Sequence, residues 1–149
     1  MKLYTKAERS TFPYWFAHWK AFNKVAFSLH DWKFKYLFHD IEKPWLLFLW
    51  KDYKRVKKWH RDHNKHHLDN PMGKYDWKAM FIDWECSRYT KAEAQLNAYE
   101  TMLHELDKHK DNPDLCYQLK INMMPLFLKY MPYLPYNVDI YIDDPYGDM

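Results

Sequence analysis

Glycine is nearly missing from this chain: Gly73 and Gly147 are the only two in 149 residues. So few positions that tolerate positive φ at no steric cost exclude a fold of many tight hairpins, and favour helices joined by short connections. Glycine-rich phosphate loops and nucleophile elbows are excluded with them. Cysteine is equally scarce. Cys86 and Cys116 cannot build a disulfide framework or a four-cysteine zinc site, and Cys86, in an apolar helical stretch, reads as a buried, inert thiol. Long hydrophobic runs are absent too. The longest clean one, Trp45 to Trp50, has six residues, against the ~20 needed to span a bilayer, so no membrane partner is expected. The opening Met1-Lys2-Leu3-Tyr4-Thr5-Lys6 lacks the apolar core of a signal peptide, and a reducing cytosol is the expected compartment. Neither sign of charge dominates: 23 basic against 20 acidic side chains leave a formal +3, which by itself does not point to nucleic acid.

What the chain does have is apolar surface and histidine. Hydrophobic residues make up 48% and aromatics 20%, enough for the core of one domain over residues 1–149. The expected fold is all-α, a compact bundle of about six helices. Ser10-Thr11-Phe12-Pro13 reads as a capped helix start, and Trp15, Trp19, Phe22, Ala26 and Leu29 continue it to about His30. Asp31 is expected to cap a second helix, Trp32 to about Ile41, with a break or restart at Pro44. A third runs from about Trp45 into the early sixties, followed by a loop at 68–73. Asp76 caps a fourth, to about Tyr89. Thr90 with Glu93 resembles a capping box opening a fifth, to about His109. Asp111-Asn112-Pro113 opens a sixth, ending near Pro132. The metal-site helices thus cover about 12–89 and the C-terminal helices about 91–131. The proline-bearing tail, 132–149, is irregular or extended, with one short strand possible over 138–142.

Nine histidines are the unusual feature. His18, His39-Asp40, His60 to His67, and Asp83 fall on four successive helices. Imidazoles with carboxylates suit iron, manganese, zinc or cobalt, and a bundle can aim ligands distant in sequence at one interior point. Lys43, four residues after His39 and three after Asp40, shares their face on a continuing helix and would bring an ammonium to the site. Phased at about 100° per residue, Tyr53, Val56, His60, His63 and His67 form an inward stripe. Lys51, Lys54, Arg55, Lys58, Arg61 and Lys65 fall opposite, as a solvated face. The phasing favours His67 over His66, whereas Asn64 can end the helix and undo that preference, so both stand.

His18, then His39-Asp40-Ile41-Glu42-Lys43, then further histidines, then Asp83 resembles the H…HD…D signature of HD-domain phosphohydrolases, with the HD-x-x-K form of several branches. The order is also similar to an uncharacterised family of small phage and bacterial proteins with HD-x-x-K, H-x3-N-x-H-H and M-x2-D-W. Here these read His60, Asn64, His66-His67 and Met80-Phe81-Ile82-Asp83-Trp84, and the likeness covers roughly residues 14 to 103. The resemblance implies an HD-domain-like fold and one or two divalent transition metals. A mononuclear site would use His18, His39, Asp40 and Asp83. A dinuclear one would add His60 and His66 or His67, with Asp40 bridging, and Lys43 would stabilise phosphoryl charge. The implied substrate is a small phosphorylated molecule such as a nucleotide. Two alternatives accompany it: oxygen chemistry at a di-iron site on the same scaffold, and a metal that only staples the helices.

Bland readings apply elsewhere. His30 belongs at a helix end beside Asp31, His63 is a ligand or an orienting neighbour, and His104 and His109 are surface residues. The eight tryptophans are expected to serve core and interhelical packing.

Overall fold

A computed structural model describes residues 2–71, 73–93 and 95–138. Six α-helices and three short 3-10 helices form there, and the described residues hold no strand, only an isolated bridge between Tyr4 and Lys91. No helix among them is long and apolar enough to cross a membrane. Backbone contacts divide the chain into two units, Met1–Asn97 and Ala98–Met149.

In the first unit, α1 (Phe12–Ser28) starts as its sequence requires. The Thr11 hydroxyl accepts the Tyr14 N–H at 3.4 Å and Pro13 occupies the first turn. Its buried face, Tyr14, His18, Ala21, Phe22, Val25 and Ala26, recurs at helical spacing. The helix stops without glycine. His30 takes the left-handed conformation (φ 57), and the N–H groups of His30 and Asp31 return to the carbonyls of Phe27 and Ala26 at 3.0 and 3.1 Å, a Schellman closure.

The second expected helix does not form. Only a 3-10 helix, Phe34–Phe38, appears, with Lys33 rather than Asp31 at its N-cap position and no side-chain cap; His39 is then extended and Asp40 left-handed (φ 55). The physical reason lies on α1. Trp15, Trp19 and Asn23, spaced by four and so on one face, donate side-chain N–H groups to the carbonyls of Asp40 (2.8 Å), Leu37 (3.0 Å) and Tyr36 (3.2 Å). These bonds satisfy carbonyls that a helix would otherwise have used. The expected third helix is likewise two: α2 (Glu42–Trp50) and α3 (Tyr53–His63). Between them Lys51 turns left-handed (φ 54), and the Asp52 carboxylate accepts the Arg55 N–H at 3.3 Å as a new cap. Pro44 sits in the first turn of α2, where a missing N–H costs nothing.

Asp76 caps α4 (Trp77–Ser87) as expected, accepting the Ala79 N–H at 3.1 Å. α4 is buried along most of its length and packs on α1, while α2 packs on α3. The fifth helix begins later than expected, because Glu93 is drawn away from any capping box. It accepts the Lys6 backbone N–H at 2.9 Å and pairs with Arg9 at 2.8 Å. In the second unit, α5 (Ala98–Lys108) and α6 (Pro113–Tyr130) pack together, α6 capped by Asn112. His104 is exposed there, and His109 is half-buried and pairs with Glu105 at 3.2 Å. Of the expected strand over 138–142, all but Val138 lies outside the described residues.

Asp76 carries a second load: Lys35 Nζ lies 2.6 Å from its other oxygen. Burial raises its pKa, but Lys35 and the Ala79 N–H outweigh burial and hold it below the usual value. Asp76→Ala is expected to cost about 1–2 kcal/mol at pH 7 in urea unfolding, and Asp76→Asn, which keeps the cap, under about 1 kcal/mol. A carboxylate with a depressed folded pKa stabilises above its unfolded pKa and loses that contribution as pH falls through the folded value. The gap between wild type and Asp76→Ala should therefore shrink in acid; a gap that grows would contradict the assignment.

Candidate metal centre

Five segments of the first unit deliver buried ligand atoms to one place. His18 comes from the inward face of α1, and His39 and Asp40 from the irregular turn held by Trp15 and Trp19. His60 comes from the last turn of α3, His66 from the loop after it, and Asp83 from the middle of α4. All six are buried.

Their atoms form two sets. In the first, His18 Nε2 lies 2.9 Å from Asp83 Oδ1, 3.2 Å from His39 Nε2 and 3.6 Å from Asp40 Oδ2. His39 Nε2 lies 3.3 Å from Asp83 Oδ1 and 3.4 Å from Asp40 Oδ2. In the second, Asp40 Oδ1 is 3.1 Å from His60 Nε2 and 3.2 Å from His66 Nε2, and those two nitrogens are 3.2 Å apart. A transition ion bound at about 2.1 Å holds adjacent ligand atoms about 3.0–3.4 Å apart in octahedral or tetrahedral geometry. Most of these separations match that spacing. The first set could hold a metal ion, and the second spans two overlapping groups that could, Asp40 with Glu42 and His60, and His60 with His66 and His67. Asp40 belongs to both, one oxygen to each.

Hydrogen bonding supports the same reading. His60 Nδ1 is engaged by Glu42 Oε1, which burial pushes toward the neutral form and His60 restores to the carboxylate. In the neutral tautomer whose Nδ1 donates to Glu42, Nε2 is left to offer its lone pair to an ion beside Asp40 Oδ1, 3.1 Å away. That oxygen is buried and finds no hydrogen bond among the described residues. Lone pairs facing one another in a buried site are unfavourable unless a cation lies between them. Asn64 Nδ2 braces Glu42 Oε1 at 3.1 Å. Behind His18, Cys86 Sγ lies 3.8 Å from Nδ1 and donates to the Asp83 carbonyl at 3.3 Å.

Apart from His66, the charge states suit ligation. Burial lowers His39 to about 4 despite the opposing pull of Asp40 and Asp83, so at neutral pH its ring is uncharged. Asp40 and Asp83 resist burial and stay well below the usual carboxylate range. His39, Lys43 and His60 hold Asp40 down; His18 and His39 hold Asp83 down. Burial opposes a charge on His66, but Asp40 wins and raises its pKa. Burial also raises the Cys86 thiol, so it stays protonated and, as expected, buried; it is a neighbour of the cluster.

Lys43 reaches the site, with Nζ 3.1 Å from Asp40 Oδ2, but by a different route from the expected continuous helix. The chain breaks at His39-Asp40 and Lys43 lies in the first turn of the new helix α2. The phasing of α3 fails at its end, because Asn64 stops the helix. His63 is exposed and stacked on Trp59 at 4.3 Å, so it joins neither set. His66 then faces Asp40. His67, half-buried, stays beside His60 with ring centroids 4.8 Å apart, its buried Nε2 lacking a hydrogen bond among the described residues. His60, His66 and His67 also form a group able to hold an ion.

Sequence reasoning missed Glu42 and Asn64, although both sit inside the motifs quoted for the neighbouring ligands. It also missed what the tryptophans do. None of the eight is fully buried; Trp15 and Trp19 act as hydrogen-bonding posts for the Asp40 turn rather than as core.

No known protein family, curated protein or solved structure matches the chain.

Proposed function

We propose that this protein is an HD-type metal-dependent phosphohydrolase that hydrolyses a small phosphate ester, a nucleotide being one candidate, in a reducing cytosol. The observation that carries the reading is the shared carboxylate of Asp40, with one oxygen in each of two histidine-rich donor sets and an ammonium at 3.1 Å. Two ions of manganese, iron, cobalt or zinc suit these donors. The first would be held by His18, His39, Asp40 and Asp83, the second by Asp40, His60 and His66, with His67 at its edge. When bound, such ions lower the pKa of a coordinated water and draw charge from phosphoryl oxygens.

The chain's own residues supply the rest. Glu42 fixes the His60 tautomer and ring orientation. Lys43, beside Asp40 and on the wall of a cavity that reaches His18, is positioned to take one phosphoryl oxygen. Its ammonium is kept charged, burial being outweighed by Asp40 and Asp83.

The test is phosphate release from aryl mono- and diesters by tag-free protein reconstituted with each metal. Turnover is expected with at least one of them. Lys43→Ala should cut kcat about 100-fold with bound metal undiminished, since removing a cation beside Asp40 does not weaken ligation. Full activity in Lys43→Ala would remove its assigned role. Dioxygen consumption by the iron-loaded protein without phosphate release would overturn the hydrolase reading.

A further inference from the structure

A cavity of about 330 Å³ opens onto the cluster. His18, Asp40 and Lys43 form its polar end, and Phe12, Trp15, Leu47, Phe48, Tyr53 and Val56 line the rest. It adjoins an apolar hollow between Phe12, Trp15, Ile41, Trp45 and Phe48. Trp45, Phe48 and Phe12 are 67%, 74% and 59% exposed. Single exposed apolar side chains need no explanation, but a contiguous set at the mouth of a cavity does.

The same cavity carries cations with few partners for them. Arg9 and Lys57 line it with Lys43, and among the described residues Asp40 is its only carboxylate. Arg9 uses one guanidinium nitrogen on Glu93, while its buried Nε makes no hydrogen bond among the described residues. Lys57 is held below its usual pKa, first by burial and then by Arg61, Arg9, Lys6 and Lys43. An anionic group would relieve this crowding. Among the described residues no carboxamide and no glutamate lines the cavity to pair with a nucleobase edge, and the Ser10 and Thr11 hydroxyl protons are committed to the carbonyls of Ala7 and Glu8.

From this lining we infer that the site takes a phosphate monoester of an apolar alcohol, with its phosphate at Asp40 and Lys43 and its alkyl chain along Phe12, Trp15, Leu47 and Phe48. The inference rests on the hydrolase reading and narrows its substrate. In the reaction the ester P–O bond breaks and a P–O bond to water forms. A water proton ends on the departing alkoxide, so the products are the alcohol and inorganic phosphate, with no redox partner.

The test is calorimetric titration of the full-length protein, metal-free and manganese-loaded, with ethyl-, butyl-, hexyl- and octylphosphonate, which are not hydrolysed, and with AMP and 1-octanol. Affinity is expected to tighten about three- to fourfold per methylene until the cavity is full. Phe12→Ser and Phe48→Ser, at exposed positions, should flatten that dependence, weakening octylphosphonate binding far more than ethylphosphonate binding. A flat series in the wild type, AMP binding more tightly than octylphosphonate, or octanol binding as tightly as octylphosphonate would each overturn the proposal. Chain-length-dependent phosphonate binding without release of phosphate from octyl phosphate would support the ligand class and remove the hydrolase reading. Release from esters regardless of chain length would do the reverse.

Discussion

Replacing Asp40 by asparagine is expected to reduce bound metal from two equivalents to less than one, with affinity weakened more than about 100-fold. Asparagine is the informative choice because Asp40 is left-handed (φ 55). Asparagine adopts that conformation readily, whereas alanine would add strain of about 1–2 kcal/mol. The variant thus keeps the turn, and the Trp15 bond to the residue-40 carbonyl (2.8 Å), while losing the charge and one of two oxygen donors. An amide can offer an oxygen to one donor set but only an N–H group to the other. In the apo protein the wild-type carboxylate is paired with Lys43 at 3.1 Å, and a neutral amide gives that pairing up. Apo Asp40→Asn should therefore be no more stable than apo wild type, and metal uptake fails with it. Two equivalents retained in Asp40→Asn, by elemental analysis of untagged protein, would show that the carboxylate is not shared.

Chelation should lower the melting temperature by at least about 10 °C, fully reversed by restoring metal. Five histidines and two aspartates meet inside the first unit, and two of the nitrogens, on His18 and His39, face each other at 3.2 Å. Without a cation these groups are poorly compensated, at a cost of about 1–3 kcal/mol each. An ion bound at 100 to 1,000 times its Kd stabilises the folded state by about 3–4 kcal/mol, and about 1 kcal/mol moves the melting temperature of a domain near 100 residues by about 4–8 °C. Asp40→Asn should melt at the same temperature with and without chelator. A wild-type melt indifferent to chelator would mean that the histidines need no ion to pack.

Much of this architecture is legible in the residues. Thr11 with Pro13, Asp76 and Asn112 mark three helix starts that form as written, because each cap acts within its own turn. That buried histidines and aspartates come together where they could hold a metal ion is legible too, in their placement on successive segments. What is hidden depends on tertiary contacts. Asp40 and Lys51 turn left-handed without being glycine, so the breaks at the second helix and between α2 and α3 carry no local mark. The first break is set by donors on α1, 25 residues from Asp40 in the case of Trp15. Glu93 leaves its expected capping role for Lys6 and Arg9, far upstream in the chain. His66 reaches Asp40 from a loop, where helical phasing has nothing to say, and Glu42 announces itself only once His60 is seen beside it.

The central claim is that two donor sets share one carboxylate, and half-site variants test it most directly. Elemental analysis of untagged, reconstituted protein should give two equivalents of transition metal in the wild type. His39→Ala and His60→Ala should each give one, because each removes a ligand from a different set. No metal in any of the three, or an undiminished two in both variants, would contradict the account.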